Sequence, residues 1–367
     1  MEDGGSMSID WLGWPQEKDP AAHYKVVLIW AGIGGGSQCD YVKHIAETLC
    51  VENKKGQGAK FICGVIHPRG CGMTEHTSPN PYDFTRVSDW QTSMDYIEAK
   101  AKDDPRILKD FSMYGVGISL GANQLVKYAG QCADLCKLKG VLIFNSPWDI
   151  YLAINLIRGT IFERFMIGSV QEGFMVRKPS GTMGKKQLLS DDGEIKFGLS
   201  QNEKENFAQM RDKFGLNFNQ MLTASSWREF DEQMTSKCMT KSPVPGAEHK
   251  VPANLDDEPP RKSSVAEYYF ESSAFNFIGQ VKVPTLIVHA KDDPIVSRMC
   301  LPLESSVSNP NVLVAMTSRG AHVQYFRGKP WGDCATWREW VRGRLLPNDR
   351  WNSHVVRDYI NYLDNNS

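Results

Sequence analysis

"GVGISLGAN", residues Gly115 to Asn123, sets one serine between two glycines in the pattern Gly-x-Ser-x-Gly. In a chain with 31 glycines those five letters carry little by themselves, so their flanks decide the reading. The pattern needs a buried strand before it and a helix after it, so that a sharp turn holds the serine oxygen up at the end of a sheet. Upstream, "DFSMYGVG" is a short apolar run fit for a buried strand. Downstream, "LGANQLVKYAGQ" places Leu120, Leu125, Val126 and Ala129 near helical spacing, with Gly130 as a stop signal. Gly117 and Gly121 carry no side chain to obstruct a close strand-to-helix crossing. The stretch therefore reads as strand, turn and helix, with Ser119 as a candidate nucleophile.

The same alternation extends outward. "KVVLIWAG" (25–32), "KFICGVIHPRG" (60–70) and "LKGVLIFNSP" (138–147) read as strands. "SQCDYVKHIAETLC" (37–50), with Ser37 as candidate N-cap, and "TRVSDWQTSMDYIEAKA" (85–101) read as helices. Strands that are apolar nearly throughout, separated by helices, argue for a mostly parallel sheet covered on both faces. The pattern breaks from about Trp148 to Phe277, where the chain reads as helical or irregular. That stretch includes the apolar "YLAINLIRGTIFERFM" and the charged, proline-rich 241–262, the latter expected to be a solvated loop. Strand signals return with "VKVPTLIVHA" (281–290) and "NPNVLVAMTSRG" (309–320). The expected domains are a core first part at 1–149, a helical cap at 150–277 and a core second part at 278–367.

Composition sets limits. There are 42 basic and 43 acidic residues, and no sustained basic stripe, so no nucleic-acid partner is implied. The nine cysteines lack metal-type spacing. They read as reduced thiols of an intracellular protein. The N-terminus has neither the basic nor the apolar region of a secretory signal, and no apolar run is long enough to cross a bilayer. The expected location is cytoplasmic or peripherally membrane-associated.

A serine becomes a useful nucleophile when a base takes its proton and an acid orients that base. In a sheet of this kind the order is Ser, then Asp or Glu, then His. "KDDPIVS" follows the strand "PTLIVHA", and "SRGAH" follows "VLVAMT". Both fall just past C-terminal strand ends, where open α/β sheets place their sites. His322 is the base candidate, and His289, inside a strand, reads as a packed core residue. Of the adjacent acids, Asp293 fits the "DPIV" pattern and is preferred, with Asp292 as the alternative. Backbone donors for a developing oxyanion are expected from Leu120, after the serine, and from Ile33 in "WAGIGGGSQ". That glycine run lacks the Gly-Lys-Ser/Thr ending of a phosphate loop.

The chain resembles the AB hydrolase 4 branch of the α/β-hydrolase superfamily, whose eukaryotic members are lipid esterases and phospholipases. The likeness is carried by "DGGSMSIDW", "AGIGGGS", "HPRG", "GISLGAN", "NSPWDI", "REFDEQMTSK", "VAEYYFESSA", "HAKDDPIVS" and "SRGAHVQYFRG". "REFDEQMT" and the "YY…SS" stretch are more specific than the serine turn, since most hydrolases lack them. The resemblance implies an α/β-hydrolase fold with an inserted helical cap, and a Ser119–Asp293–His322 triad. It also implies hydrolysis of acyl-lipid esters without metal or organic cofactor. A short-chain carboxylesterase or thioesterase, and a catalytically idle binding module, are the alternatives. Three departures stand out. "WAG" occupies the oxyanion loop where proline or histidine usually precedes the glycine. The 241–262 stretch reads as an insertion. The likeness begins at residue 2, so the membrane anchor and extra strand that relatives carry upstream are not transferred. Acyl length, head group and oligomeric state stay open, as does a peripheral membrane contact at Ile157, Ile161, Phe162, Phe165 and Met166 beside Arg158 and Arg164.

Overall fold

Runs such as YKVVLIW and TLIVHA offer apolar side chains to both faces of a sheet, so they are stable only where both faces are covered. The computed structural model describes residues 1–17, 23–51, 60–72, 74–106, 111–175, 200–239, 265–323, 325 and 350–366. In chain order its elements begin with β1 (Ser8–Leu12), β2 (Tyr24–Trp30), α1 (Asp40–Cys50), β3 (Lys60–His67) and α2 (Ser88–Asp103). Then come β4 (Phe111–Ile118), α3 (Leu120–Cys132) and β5 (Gly140–Phe144). The helices α4 (Ile150–Ile157), α5 (Ile161–Met175), α6 (Gln201–Phe214), α7 (Phe218–Thr223), α8 (Trp227–Gln233), α9 (Thr235–Cys238) and α10 (Val265–Ser272) follow. The chain closes with β6 (Thr285–Ala290), α11 (Leu303–Ser308), β7 (Val312–Thr317) and α12 (Trp351–Asn365).

The seven strands form one sheet in the order β1-β3-β2-β4-β5-β6-β7. All neighbours are parallel except β1, which runs antiparallel to β3 with Ser8 opposite His67. From β2 the chain moves to β3 on one side and later to β4 on the other. This reversal is a topological switch point, which opens a crevice at the C-terminal strand ends. Both faces are covered. Val26, Leu28 and Trp30 pack with Trp90, Met94 and Ile97 of α2 and Leu125 and Val126 of α3. Val27 and Ile29, on the opposite face, pack with Val42, Ile45 and Leu49 of α1 and Val356 and Ile360 of α12. These features make it an α/β-hydrolase fold.

The helices between β5 and β6 have their own apolar cluster, with Phe207, Met210, Met221, Trp227 and Phe230. Local signals set their ends. Ser200 and Glu203 form a reciprocal capping box at the start of α6, and Gly215 ends it at φ 63°.

One sequence expectation changes. The helix expected from Ser37 starts at Asp40, and the Ser37 hydroxyl caps nothing: it donates to Asp10 Oδ2 at 2.5 Å. The pull of β1, which carries Asp10, outweighs the local capping preference. β1 itself was not anticipated, because five residues at a sheet edge give too short an alternation to read. The proline-rich stretch 241–262 lies outside the described residues.

Candidate active site

Ser119 sits between β4 and α3 at φ 53°, ψ −122°. A non-glycine residue reaches positive φ only where its surroundings force it, and here they are traceable. A Cβ on Gly117 would lie 2.5 Å from the Ala122 Cα, and one on Gly121 would lie 2.3 Å from the Ala31 carbonyl oxygen. Only glycine at both positions lets the helix start this close to the strand ends. The Ser119 amide is tied to the Phe144 carbonyl at 2.9 Å, which fixes the turn to β5.

The base arrives from the loop after β7. His322 lies between two left-handed residues, Ala321 at φ 42° and Val323 at φ 67°. Positive φ is a true outlier for a β-branched residue such as Val323. His322 Nε2 stands 2.9 Å from Ser119 Oγ, and its Nδ1 stands 2.8 Å from Asp293 Oδ2. Ser119 and the Asp293 carboxylate are buried, and the imidazole keeps 17% of its side-chain surface in contact with solvent.

Asp293 is held from several sides. Its Oδ1 accepts the amides of Ile295 at 2.8 Å and Val296 at 2.9 Å, and its Oδ2 accepts Asn145 Nδ2 at 2.5 Å. Burial pushes this carboxyl up. The His322 hydrogen bond and charge, together with the two backbone amides, outweigh burial and hold it below the usual carboxylate range. Asp292 turns the other way and accepts the Ala321 amide at 2.9 Å, bracing the histidine loop. His289 is fully buried in β6, with Nε2 3.1 Å from the Val296 carbonyl oxygen.

The loop after β2 comes over the serine. A Cβ on Gly32 would lie 3.2 Å from Ser119 Cβ, and the Gly32 amide donates to the Tyr41 hydroxyl at 3.2 Å. Ile33 and Leu120 line one apolar cavity with Ser119. Leu120 opens α3, where amides have no intrahelical acceptor. Among the described residues neither the Ile33 nor the Leu120 amide is committed to a backbone carbonyl. The structure thus brings Ser119, His322, Asp293, Ile33 and Leu120 into one crevice at the switch point.

The sequence did not name Asn145, whose side chain donates to both Asp293 and the Ala321 carbonyl and accepts from the Tyr325 hydroxyl. "NSPWDI" contains it, but nothing in that stretch announces a partner in the loop after β6. Nor did the sequence give a role to Asp231 of "REFDEQMT". This buried carboxylate sits on α8 and accepts from the Tyr269 hydroxyl at 2.7 Å. Among the described residues no group of side chains has the make-up of a metal site.

No protein-family model matches the chain. Similar curated proteins are nevertheless found. The embryogenesis-associated protein EMB8 of Picea glauca is 25% identical over 100% of this chain and 65% of its own length. Medium-chain fatty acid ethyl ester synthase/esterase 2 of Saccharomyces cerevisiae is 24% identical over 85% of this chain and 63% of its own. Phospholipase ABHD3 of Bos taurus is 21% identical over 89% of this chain and 65% of its own. The chain thus spans somewhat under two thirds of the length of these relatives. Among solved structures, a putative lipase (lip1) of Acinetobacter baumannii AYE aligns over 99% of this chain and 91% of its own, with TM-score 0.47 and 13% identity. The fold is that of the α/β hydrolases, and the similar proteins include ones named as a phospholipase and an esterase.

Proposed function

We propose that the protein is a serine hydrolase that cleaves carboxylic esters of acyl lipids, phospholipid or acylglycerol, through an acyl-enzyme. The observation that carries this reading is the continuous hydrogen-bonded line from Ser119 Oγ through His322 to Asp293 at a strained turn. Relatives named as a phospholipase, a monoacylglycerol lipase and an ester synthase/esterase support the ester chemistry.

Each residue then has one task. His322 Nε2 takes the Ser119 proton as Oγ attacks the ester carbonyl, and passes it to the departing alkoxide. Asp293 keeps the Nδ1 proton in place and stabilises the imidazolium. The Ile33 and Leu120 amides hold the oxyanion, and loss of one such donor typically costs about 10²–10³ in turnover. Water activated by the same histidine releases the acid. These side chains and amides supply every proton and charge the reaction needs, so no cofactor or metal enters the scheme.

The helices described between β5 and β6, α4 to α10, are assigned as a cap over the crevice. The cavity at Ser119 is apolar, with Ile150, Ala153, Ile157, Met166 and Val296 in its lining, which suits the acyl part of an ester. Among the described residues no helix is long and apolar enough to cross a membrane. Contact with a lipid surface is assigned to the exposed end of α5.

Labelling with a fluorophosphonate tests the reading. The wild-type protein is expected to label and to hydrolyse a soluble ester, and Ser119→Ala to do neither while keeping its circular dichroism spectrum. Labelling that persists in Ser119→Ala would overturn the assignment.

A further inference from the structure

The cavity that holds Ser119 is small, about 60 Å³. It adjoins a second apolar cavity of about 100 Å³, with which it shares Ile33, Phe84, Leu120, Trp227 and Asp231. An apolar cavity of about 150 Å³ holds a molecule the size of benzene, so the two together take only a short acyl group. Beyond the Ser119 cavity lies a groove of about 910 Å³ in the same helical region, with Arg158, Phe214, Arg228, Lys237 and Val265 among its lining residues. Among the described residues, two side chains face both spaces: Ile154 of α4 and Tyr269 of α10.

Tyr269 is fixed at its hydroxyl and at its backbone. Its hydroxyl donates to Asp231 Oδ2 at 2.7 Å, and the other Asp231 oxygen accepts from Thr235. Its carbonyl accepts the Ser273 hydroxyl at 2.6 Å, and that hydroxyl in turn accepts the Ile150 amide at 2.9 Å. The bond to Asp231 ties α10 to α8, and the Ser273 bonds tie the end of α10 to the start of α4. The phenol ring is buried and lies 6.4 Å from that of Tyr151, centroid to centroid. A ring pinned at its hydroxyl and at its backbone is a stiff partition rather than a surface side chain that swings freely.

We propose that Tyr269, braced by Asp231 and flanked by Ile154, is the end wall that limits the length of acyl chain accepted at Ser119. The proposal rests on the ester-hydrolase reading above and adds the residue that sets its specificity. Removing the ring joins the short cavity to the groove and lets a longer chain extend past the wall. One methylene more or less in an apolar pocket changes specificity by about tenfold or more, so opening the wall should change a chain-length profile strongly.

The test is kcat/KM on p-nitrophenyl acetate, butyrate, octanoate and laurate. Wild-type protein is expected to prefer the short esters. Tyr269→Ala is expected to raise the laurate-to-butyrate ratio at least tenfold, and Tyr269→Phe, which keeps the ring, to stay near the wild-type ratio. Ile154→Ala is expected to shift the ratio in the same direction, and it decides the matter if circular dichroism finds Tyr269→Ala unfolded. A ratio unchanged in the folded alanine variants overturns the wall, as does a wild-type preference for laurate over butyrate. Wild-type protein that neither labels with fluorophosphonate nor cleaves any of these esters overturns the ester-hydrolase reading, and the wall with it.

Discussion

Asp292 and Asp293 are adjacent, yet their environments give them different work. Asp293 accepts from His322, Asn145 and two backbone amides, and Asp292 from the Ala321 amide. Replacing Asp293 with Asn leaves the shape and removes the charge that keeps the imidazole in the working tautomer. In the serine-protease template that change costs about 10⁴ in turnover, and a loss of that order is expected here. Asp292→Asn keeps a carbonyl oxygen for the Ala321 amide and is expected to cost less than about tenfold, since surface changes of this kind stay within about 0.5 kcal/mol. Single-turnover rates on a soluble ester check both, and a reversed order would move the acid to Asp292. The three residues that the structure lines up were legible because each follows a strand signal closely. Asn145 was not, because its partners Asp293, Ala321 and Tyr325 come from far along the chain. Sequence patterns carry local information, and this contact exists only once β5 has paired with β6.

At the scale of elements, α8 and α10 are joined by a buried carboxylate. Burial pushes the Asp231 carboxyl up to about 7, against the hydrogen bonds from Thr235 and Tyr269, from an ordinary value of 3.8. In the unfolded chain it ionises near that ordinary value, so the folded state holds a proton that the unfolded state has lost. The contribution of this group is therefore complete below about pH 4 and is lost as pH rises to about 7, at about 1.4 kcal/mol per pH unit. Asp231→Asn cannot titrate. Urea unfolding of both proteins at pH 5 and pH 7 is expected to show wild type losing stability relative to the variant as pH rises. Parallel behaviour at the two values would mean that Asp231 is ionised throughout. The motif around Asp231 is conspicuous in the sequence, but its pairing with Tyr269 joins helices on either side of the 241–262 stretch and leaves no periodic trace. The apolar stripe of 157–166 was legible as helix and misleading as a single face. Ile157 is buried and Met166 lines the Ser119 cavity, and Ile161 and Phe165 are exposed. Gly159, at φ 75°, separates α4 from α5, so residues on its two sides do not share one helical face.

For the whole molecule, the alternation of apolar strands with helices was enough to read a mostly parallel sheet, because such strands have no other way to cover two apolar faces. What that pattern could not give is which surface meets a partner. Two exposed apolar side chains, Ile161 and Phe165, keep 77% and 76% of their surface in contact with solvent on α5. Arg158 and Arg164 are exposed beside them. Ile157 and Met166, close by in the chain, line the Ser119 cavity, so this exposed end lies near the proposed entry for substrate. Apolar tips flanked by arginines suit an anionic lipid surface, where the side chains enter the acyl boundary and the guanidinium groups meet phosphates. Burying a large apolar side chain is worth about 1.5–3 kcal/mol. Two of them therefore account for about a hundredfold or more in partitioning. Co-sedimentation with phosphatidylserine-containing vesicles is expected for the wild-type protein. Ile161→Asp combined with Phe165→Asp is expected to weaken it by about that factor. Hydrolysis of p-nitrophenyl butyrate should persist in the double variant, since neither side chain reaches the Ser119 cavity. Equal sedimentation of the two proteins would remove this face from any role at a membrane, and raised salt separates the shares, because it weakens the arginine contribution and leaves the apolar one.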